Sequence, residues 1–442
     1  MTTPIADFID NYIKSDMSRL HMPGHKGKGF PDDITEIKGA DSLYEADGII
    51  AESEKNATAV FGSKHTFYSA EGSSQCIKAM LMSAVTNRMN KSARPIVLAA
   101  RNVHKAFVHS AALIDFDVEW LLPDSTDSIC SCFITAEQLK LKLQTIKTKP
   151  CAVYITSPDY LGNMADIKGL SEVCKEFEIP LLVDNAHGAY LKFTGQHPID
   201  LGADMCCDSA HKTLPVLTGG AYLHINNEKY LNHIKETMAV FGSTSPSYLI
   251  LKSLDNANRY MAENFESELQ KCIEKVNKLK VYIKSIDAED LSAEPLKITL
   301  CAENIGYTGY EVGEILRRQK VECEYCDERF AVMMFTPNNN NEDFDRVENA
   351  LKSLKPKEKI VSKHLILPEI EQVLSIREAY FSPQEEVTAE SALNRICGFS
   401  TVSCPPAVPI AISGEKITPR HIALFKKYSV DKIKVVINET CN

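Results

Sequence analysis

No stretch of the 442-residue chain approaches the roughly 20 consecutive apolar residues that a membrane helix needs, so no membrane partner is expected. The opening residues MTTPIADFIDNYIKSDMSR contain acids and no apolar run ending in small residues, which argues against a secretory signal. Positive charge is not in excess either. Lysine and arginine total 49 against 59 aspartates and glutamates, a formal charge of −10, which argues against nucleic acid as the main partner. The acidity favours a cationic small molecule, with little weight, because many soluble proteins are as acidic. Internal repeats, low-complexity tracts and a Gly-x-Gly-x-x-Gly dinucleotide fingerprint are all missing. Cysteine is plentiful at 14, yet Cys206-Cys207, Cys130-x-Cys132 and Cys323-x-x-Cys326 do not make two complete zinc knuckles. A zinc site at Cys323 and Cys326 needs two more ligands, and no metal is expected. A chain of this length gains little from disulfides, so the reading is reduced thiols in a cytoplasm.

What is present is an ordinary globular composition, 44% apolar and 24% charged, in a chain long enough for two or three domains. Its centre is Leu181–Leu223. The apolar run Ile179–Val183 ends at Asp184, and Gly202–Asp208 leads into Ser209-Ala-His-Lys-Thr213. A short apolar run that ends in a carboxylate and a small polar turn reads as a buried parallel strand whose C-terminal end faces a site. Asp184 and Lys212 therefore both fall just past strand ends. Lysine is rarely buried without a partner. Set among Ser209, His211 and Thr213 and followed by Gly219-Gly220, Lys212 points to a Schiff-base lysine with an anion bound nearby.

The rest of the chain alternates strands and helices. A short amphipathic helix with Ile5, Phe8, Ile9 and Tyr12 on one face opens it. Helices are expected over Ile50–Val60 and Cys76–Val85, and strands over Pro95–Ala99, Val118–Leu122 and Ala152–Ile155. Thr135 and Gln138 form a capping box. Gly72, Ser73 and Ser74 precede a helix, which makes either a plain cap or a phosphate cradle of free N–H groups and short hydroxyls. Asp159, at a strand end, is either a contact for a cationic substrate or part of a surface turn. From about residue 65 to 225 the alternation predicts a parallel, doubly wound α/β sheet. A long helix to about Leu279 ends the large domain near residue 285, and a small α/β domain follows.

Six segments together resemble the pyridoxal phosphate (PLP) enzymes of the ornithine/lysine/arginine decarboxylase family, in its short bacterial form. They are His21-Met-Pro-Gly-His-Lys26, Arg101-Asn-Val-His-Lys105, Asp184-Asn-Ala-His-Gly188, Ser209-Ala-His-Lys-Thr-Leu-Pro-Val-Leu-Thr218, Ser243-Thr-Ser-Pro-Ser-Tyr248 and the proline-rich Pro405–Ile417 with its Gly-Glu. The resemblance covers nearly the whole chain. It implies the aspartate aminotransferase-like fold type I, with a mainly parallel large domain and smaller C-terminal α/β domains. The implied division is an arm and active-site loop at 1–45, a PLP-binding domain at 46–285, a small α/β domain at 286–360 and a C-terminal decarboxylase-type domain at 361–442.

The resemblance also implies roles. Lys212 forms the imine to PLP, Asp184 holds the proton of the ring nitrogen, and Ala186 lets the ring pack close. His187 bonds the phenolic oxygen, and His104 stacks flat on the ring; read from the residues alone, His104 is a helix cap. Gly72, Ser73, Ser74, Ser209 and His211 hold the phosphate. Ser243 and Thr244 reach the phosphate of a neighbouring subunit, or cap the next helix. His25 and Lys26 lie at the mouth of the site. A homodimer or higher oligomer with shared sites follows. The implied reaction is decarboxylation of arginine, lysine or ornithine, in polyamine metabolism. The alternatives are an aminotransferase or β-eliminating lyase on the same fold, or a non-catalytic PLP-binding regulator. Glu71, Asn185 and Gly219 depart from the family pattern and leave that last alternative open.

Overall fold

Apolar runs of four or five residues become strands here. The computed structural model describes residues 1–88, 91–362, 365–399 and 406–437, so Pro405 lies outside the described residues. The first strands are β1 (His65–Ser69), β2 (Ile96–Ala100), β3 (Asp117–Leu121), β4 (Ala152–Thr156), β5 (Leu181–Asp184), β6 (Met205–Asp208) and β7 (Ala221–Ile225). β2, β3 and β4 lie within a residue of their expected places, whereas β1 was not expected as a strand. The first helices are α1 (Pro4–Lys14), α2 (Ile49–Phe61), α3 (Ser73–Thr86) and α4 (Lys105–Ile114). The chain divides into two compact units. One comprises Met1–Met89, Cys151–Ser157 and Asp166–Gln270; the other comprises Asn90–Pro150, Pro158–Ala165 and Lys271–Asn442.

In the first unit the strands lie in the order β1-β7-β6-β5-β4. β4–β5 and β5–β6 pair in parallel, and β7 runs antiparallel to both β6 and β1. Leu181, Leu182 and Val183 are fully buried, as a strand covered on both faces must be. The pairing has a direct consequence for the site. β1, β5 and β6 all point the same way, so their C-terminal ends share one edge of the sheet. β7 runs oppositely and begins at that edge, with Ser69 opposite Ala221 and Asp208 opposite Tyr222. The loops after Ser69, Asp184 and Asp208 and the turn at Gly219-Gly220 therefore meet there, as ligand loops do in open α/β sheets.

A buried carboxylate helps hold the N-terminal helix to this unit. Asp255, on the helix Tyr248–Tyr260, accepts from the Ile5 and Ala6 N–H groups at 3.0 Å each and from the Ser53 hydroxyl. The first turn of a helix has N–H groups without partners, and Asp255 supplies them from outside α1. Burial pushes the Asp255 carboxyl up to about 6, against the opposing pull of the Ser53, Ala6 and Ile5 hydrogen bonds. The folded chain then holds a proton between pH 4 and 6 that the unfolded chain releases. This contribution to stability is complete below the unfolded value and is lost as pH rises through 6, by about 2–3 kcal/mol in all. Denaturant titrations of wild type and Asp255→Asn across that window are expected to differ in slope, with the variant flatter. Parallel curves would remove Asp255 as the cause.

In the second unit β2 and β3 pair in parallel. Further on, β8 (Glu289–Asp290), β9 (Lys297–Cys301), β10 (Tyr325–Cys326) and β11 (Phe330–Met334) form a sheet in the order β10-β11-β9-β8. The helices Gly309–Arg318 and Asn341–Ser353 are each opened by a capping box. β12 (Gln384–Thr388), β13 (Cys397–Phe399) and β14 (Lys432–Val436) make a third sheet. The Thr135–Gln138 capping box forms as expected.

Asp159 follows neither expectation for it. It is buried, not on a surface turn, and its oxygens are spent inside its own loop. Oδ1 accepts from the Leu161 and Asn163 N–H groups at 2.9 Å each, and Oδ2 from the Asn163 amide at 2.9 Å. A short carboxylate that can bond the backbone two residues on does so when the loop is buried.

Candidate active site

β5 delivers Asp184 to the shared edge at 2% exposure. Its Oδ2 accepts from the Tyr154 hydroxyl at 3.0 Å, and Oδ1 from the Ala186 N–H at 3.2 Å, with the Cys207 sulfur at 3.7 Å. Burial raises the Asp184 carboxyl above its ordinary value, while the charge of Lys212 and the bonds from Tyr154 and Ala186 oppose the rise. A buried carboxylate under that tension gains most from a cation placed against it.

β6 carries the chain into Ser209 and a single helical turn, Ala210–Thr213. Lys212 Nζ lies 2.9 Å from His187 Nε2, so the loops after β5 and β6 meet through an amine and an imidazole. Ser209 donates to Ser73 Oγ at 2.7 Å, which joins the β6 loop to the start of α3. His211 donates through Nδ1 to the Gly220 carbonyl at 3.0 Å, and burial holds its ring below the ordinary histidine value.

α3 begins at Ser73 with Gly72 as its N-cap, and no side chain caps it. Gly72 has φ 71° and ψ 176°, a conformation essentially reserved for glycine. The start of this helix thus presents N–H groups, a favourable dipole and the Ser73 and Ser74 hydroxyls to an anion. Glu71, the departure in this loop, is exposed. Gly219 has φ +98°, its carbonyl accepts from the Gly72 N–H at 2.7 Å, and a Cβ there would lie 3.0 Å from the Ala70 carbonyl oxygen. That departure from the family pattern is therefore required by the local backbone. Gly219→Ala is expected to lower stability by about 1–3 kcal/mol through the left-handed backbone and the close approach. A thermal unfolding midpoint equal to wild type would contradict this.

The structure brings together Asp184, Ala186, His187, Ser209, His211, Lys212, Gly72, Ser73 and Ser74. Within the same unit it does not bring in Ser243, Thr244, His25 or Lys26. Ser243 and Thr244 are exposed in the turn before Tyr248–Tyr260, and neither caps that helix, whose N-cap is Ser247. Ser243 Oγ instead accepts from the Ser245 N–H at 3.1 Å. His25 bonds Asp33 at 3.0 Å and accepts from the Gly27 N–H at 2.9 Å, while Lys26 bonds the His21 carbonyl. The N-terminal loop is thus folded on itself. His104 belongs to the second unit, where it caps α4 by accepting from the Ala106 N–H at 3.2 Å. Its segment is anchored by Arg101, which bonds the carbonyls of Pro409 and Ile410 at 3.1 and 3.0 Å and pairs with the buried Glu415 at 3.3 Å.

Two features escaped the reading of the sequence. Tyr154 reaches Asp184 from the neighbouring strand; a lone phenol in the apolar run Ala152–Ile155 was the available signal. Asp208 ties the strand ends together, with Oδ2 accepting from His197 and His224 at 3.0 Å each and Oδ1 from the Asn185 amide at 2.7 Å. The donor-type atoms of His197, Cys206, Asp208 and His224 lie within 4.8 Å of one another. The other imidazole nitrogens are satisfied too, His197 by the Ile199 N–H at 3.4 Å and His224 by Thr66 at 2.8 Å. Asp208 and the two histidines thus form a buried hydrogen-bond network.

A sheet edge carrying a lysine, a buried carboxylate and an uncapped helix start defines a fold type I enzyme scaffold. The fold is that of E. coli constitutive lysine decarboxylase, with a TM-score of 0.81 at 16% identity over 99% of this chain and 82% of that one. The sequence pattern described as Orn/Lys/Arg decarboxylase, major domain, matches residues 3–292, and the chain belongs to that family of amino-acid decarboxylases. Among relatives, the arginine decarboxylase of Bacillus subtilis is 28% identical over 463 residues, 96% of this chain and 93% of its own. The arginine decarboxylase of Bacillus anthracis is 27% identical over 464 residues, 96% and 92% respectively. No helix among the described residues is long and apolar enough to cross a membrane.

Proposed function

We propose that the chain is a PLP-dependent decarboxylase of arginine, lysine or ornithine, releasing the corresponding amine and CO₂ for polyamine metabolism in the cytoplasm. The observation that carries this is the meeting of Lys212 and His187 at 2.9 Å on the sheet edge that also presents buried Asp184. The donor set matches the cofactor's groups one by one. An amine is there for an aldehyde, a buried carboxylate for a ring nitrogen, and an uncapped helix start with Ser73, Ser74, Ser209 and His211 for a phosphate. Bound PLP supplies an electron sink for the pair left when the α-carboxylate departs.

The chain's own residues do the rest. Asp184 keeps a proton on the ring nitrogen, because its buried charge is favoured by a cation alongside. Tyr154 and the Ala186 N–H hold that carboxylate in place. Lys212 would hold the cofactor through its aldehyde, and Lys212 with His187 is placed to return a proton to the substrate α-carbon. Ala186 leaves room for the ring, and His187 orients its phenolic oxygen. By the family resemblance alone, His104 would stack on the ring. Ser243, Thr244, His25 and Lys26 act at a site shared with a second copy in a homodimer or larger assembly. Residues 46–285 form the cofactor domain of this reading, with 1–45, 286–360 and 361–442 as the arm, the small domain and the C-terminal domain.

The test is incubation with PLP and each of the three amino acids, followed by identification of the product. Agmatine, cadaverine or putrescine with CO₂ is expected. A keto acid would favour an aminotransferase, and cofactor binding without turnover would favour a regulator.

A further inference from the structure

Cys323 and Cys326 take no part in the site above. Cys326 lies in β10, and Cys323 lies just before it. Both are half-buried, and among the described cysteines only Cys132 is comparably accessible. They line a cleft of about 480 Å³ together with Tyr310, Glu314, Arg317 and Tyr428. The backbone between them is fixed, because Glu324 N–H donates to the Val332 carbonyl at 3.0 Å and Tyr325 pairs with Val332 in the sheet. Cys326 packs on the helix Gly309–Arg318 at Gly313, where an added Cβ would lie 2.6 Å from its sulfur. The two cysteines are three residues apart and line the same cleft. The neighbouring Cys323 thiol holds the Cys326 thiol below its ordinary value, helped by the charge of Arg317 and opposed by burial and by Asp327, while Cys323 is pushed up.

Two half-buried thiols three residues apart in the wall of one cleft, open to a small molecule that enters it, have the spacing of an exchanging dithiol. We propose that Cys323 and Cys326 form a reversible disulfide couple, oxidised by a small-molecule disulfide that enters this cleft. The Cys326 thiolate attacks one sulfur of the disulfide, giving a mixed disulfide and releasing one small thiolate. The Cys323 sulfur then attacks Cys326, closing the protein disulfide and releasing the second. The two protein thiol protons pass to the two released thiolates. The protein is oxidised by two electrons and the small disulfide is reduced to two thiols.

Trypsin cleavage after Lys320 and Arg329 places both cysteines in the single peptide 321–329. The whole chain is equilibrated in buffers of glutathione and glutathione disulfide, alkylated and digested. With rising disulfide, peptide 321–329 is expected to lose two hydrogens in mass and to resist alkylation, and a reductant is expected to reverse both changes. Cys323→Ser is expected to stop at a mixed disulfide on Cys326. Cys326→Ser is expected to react about tenfold more slowly or worse, having lost the stabilised thiolate. Thermal unfolding confirms that each variant folds, and the wild-type peptide reads the couple without any variant. Full alkylation of both wild-type thiols at every buffer ratio would overturn the proposal. So would a Cys326→Ser chain that reacts as fast as wild type, or zinc held by the pair in the purified protein.

Discussion

Lys212→Ala is expected to leave a folded protein that takes up no stable visible absorbance from added PLP and has lost turnover by roughly ten-thousand-fold or more. The substitution removes the amine that lies 2.9 Å from His187 and leaves the backbone bonds of the loop in place. The backbone N–H of residue 212 still donates to the Ser209 carbonyl at 3.0 Å, and the Ser209–Ser73 bond is untouched. The loss is therefore chemical, not structural. Dialysis after loading, followed by an absorbance spectrum and an amine assay, reads both effects. A spectrum unchanged from wild type would assign the covalent role to another residue.

Asp184→Ala is expected to retain PLP weakly and to lower turnover on the order of 10²–10³-fold, the range for removing one preorganised electrostatic partner of a reacting group. The same change leaves the buried Tyr154 hydroxyl without its acceptor, at a stability cost of about 1–3 kcal/mol. Asp184→Asn separates the two effects. The amide keeps one oxygen, enough for Tyr154 but not also for the Ala186 N–H, so stability is expected to recover in part while turnover stays low. Full activity in Asp184→Asn would reject the carboxylate's part in the electron sink.

Much of this was legible from local sequence. The runs ending at Asp184 and Asp208 and the capping box at Thr135 depend on residues a few positions apart, and the structure has them where the pattern puts them; the helix expected from Cys76 begins three residues earlier, at Ser73. Asp159 was misjudged because its fate turned on whether its loop was buried, which no neighbouring residue announces. Ser243 and Thr244 likewise look like helix caps, yet the helix that follows begins beyond them, at Tyr248.

The sequence by itself determined which strands end in which reactive groups, because periodicity, turn chemistry and caps act over a handful of residues. Only the tertiary structure decided which of those ends share an edge. Tyr154 meets Asp184 across 30 positions, Lys212 meets His187 across 25, and Ser209 meets Ser73 across 136. These meetings follow from parallel pairing of β4, β5 and β6 and from the reversal at β7. Strand order is chosen by burying the apolar faces of the whole chain at once, a quantity no single segment contains.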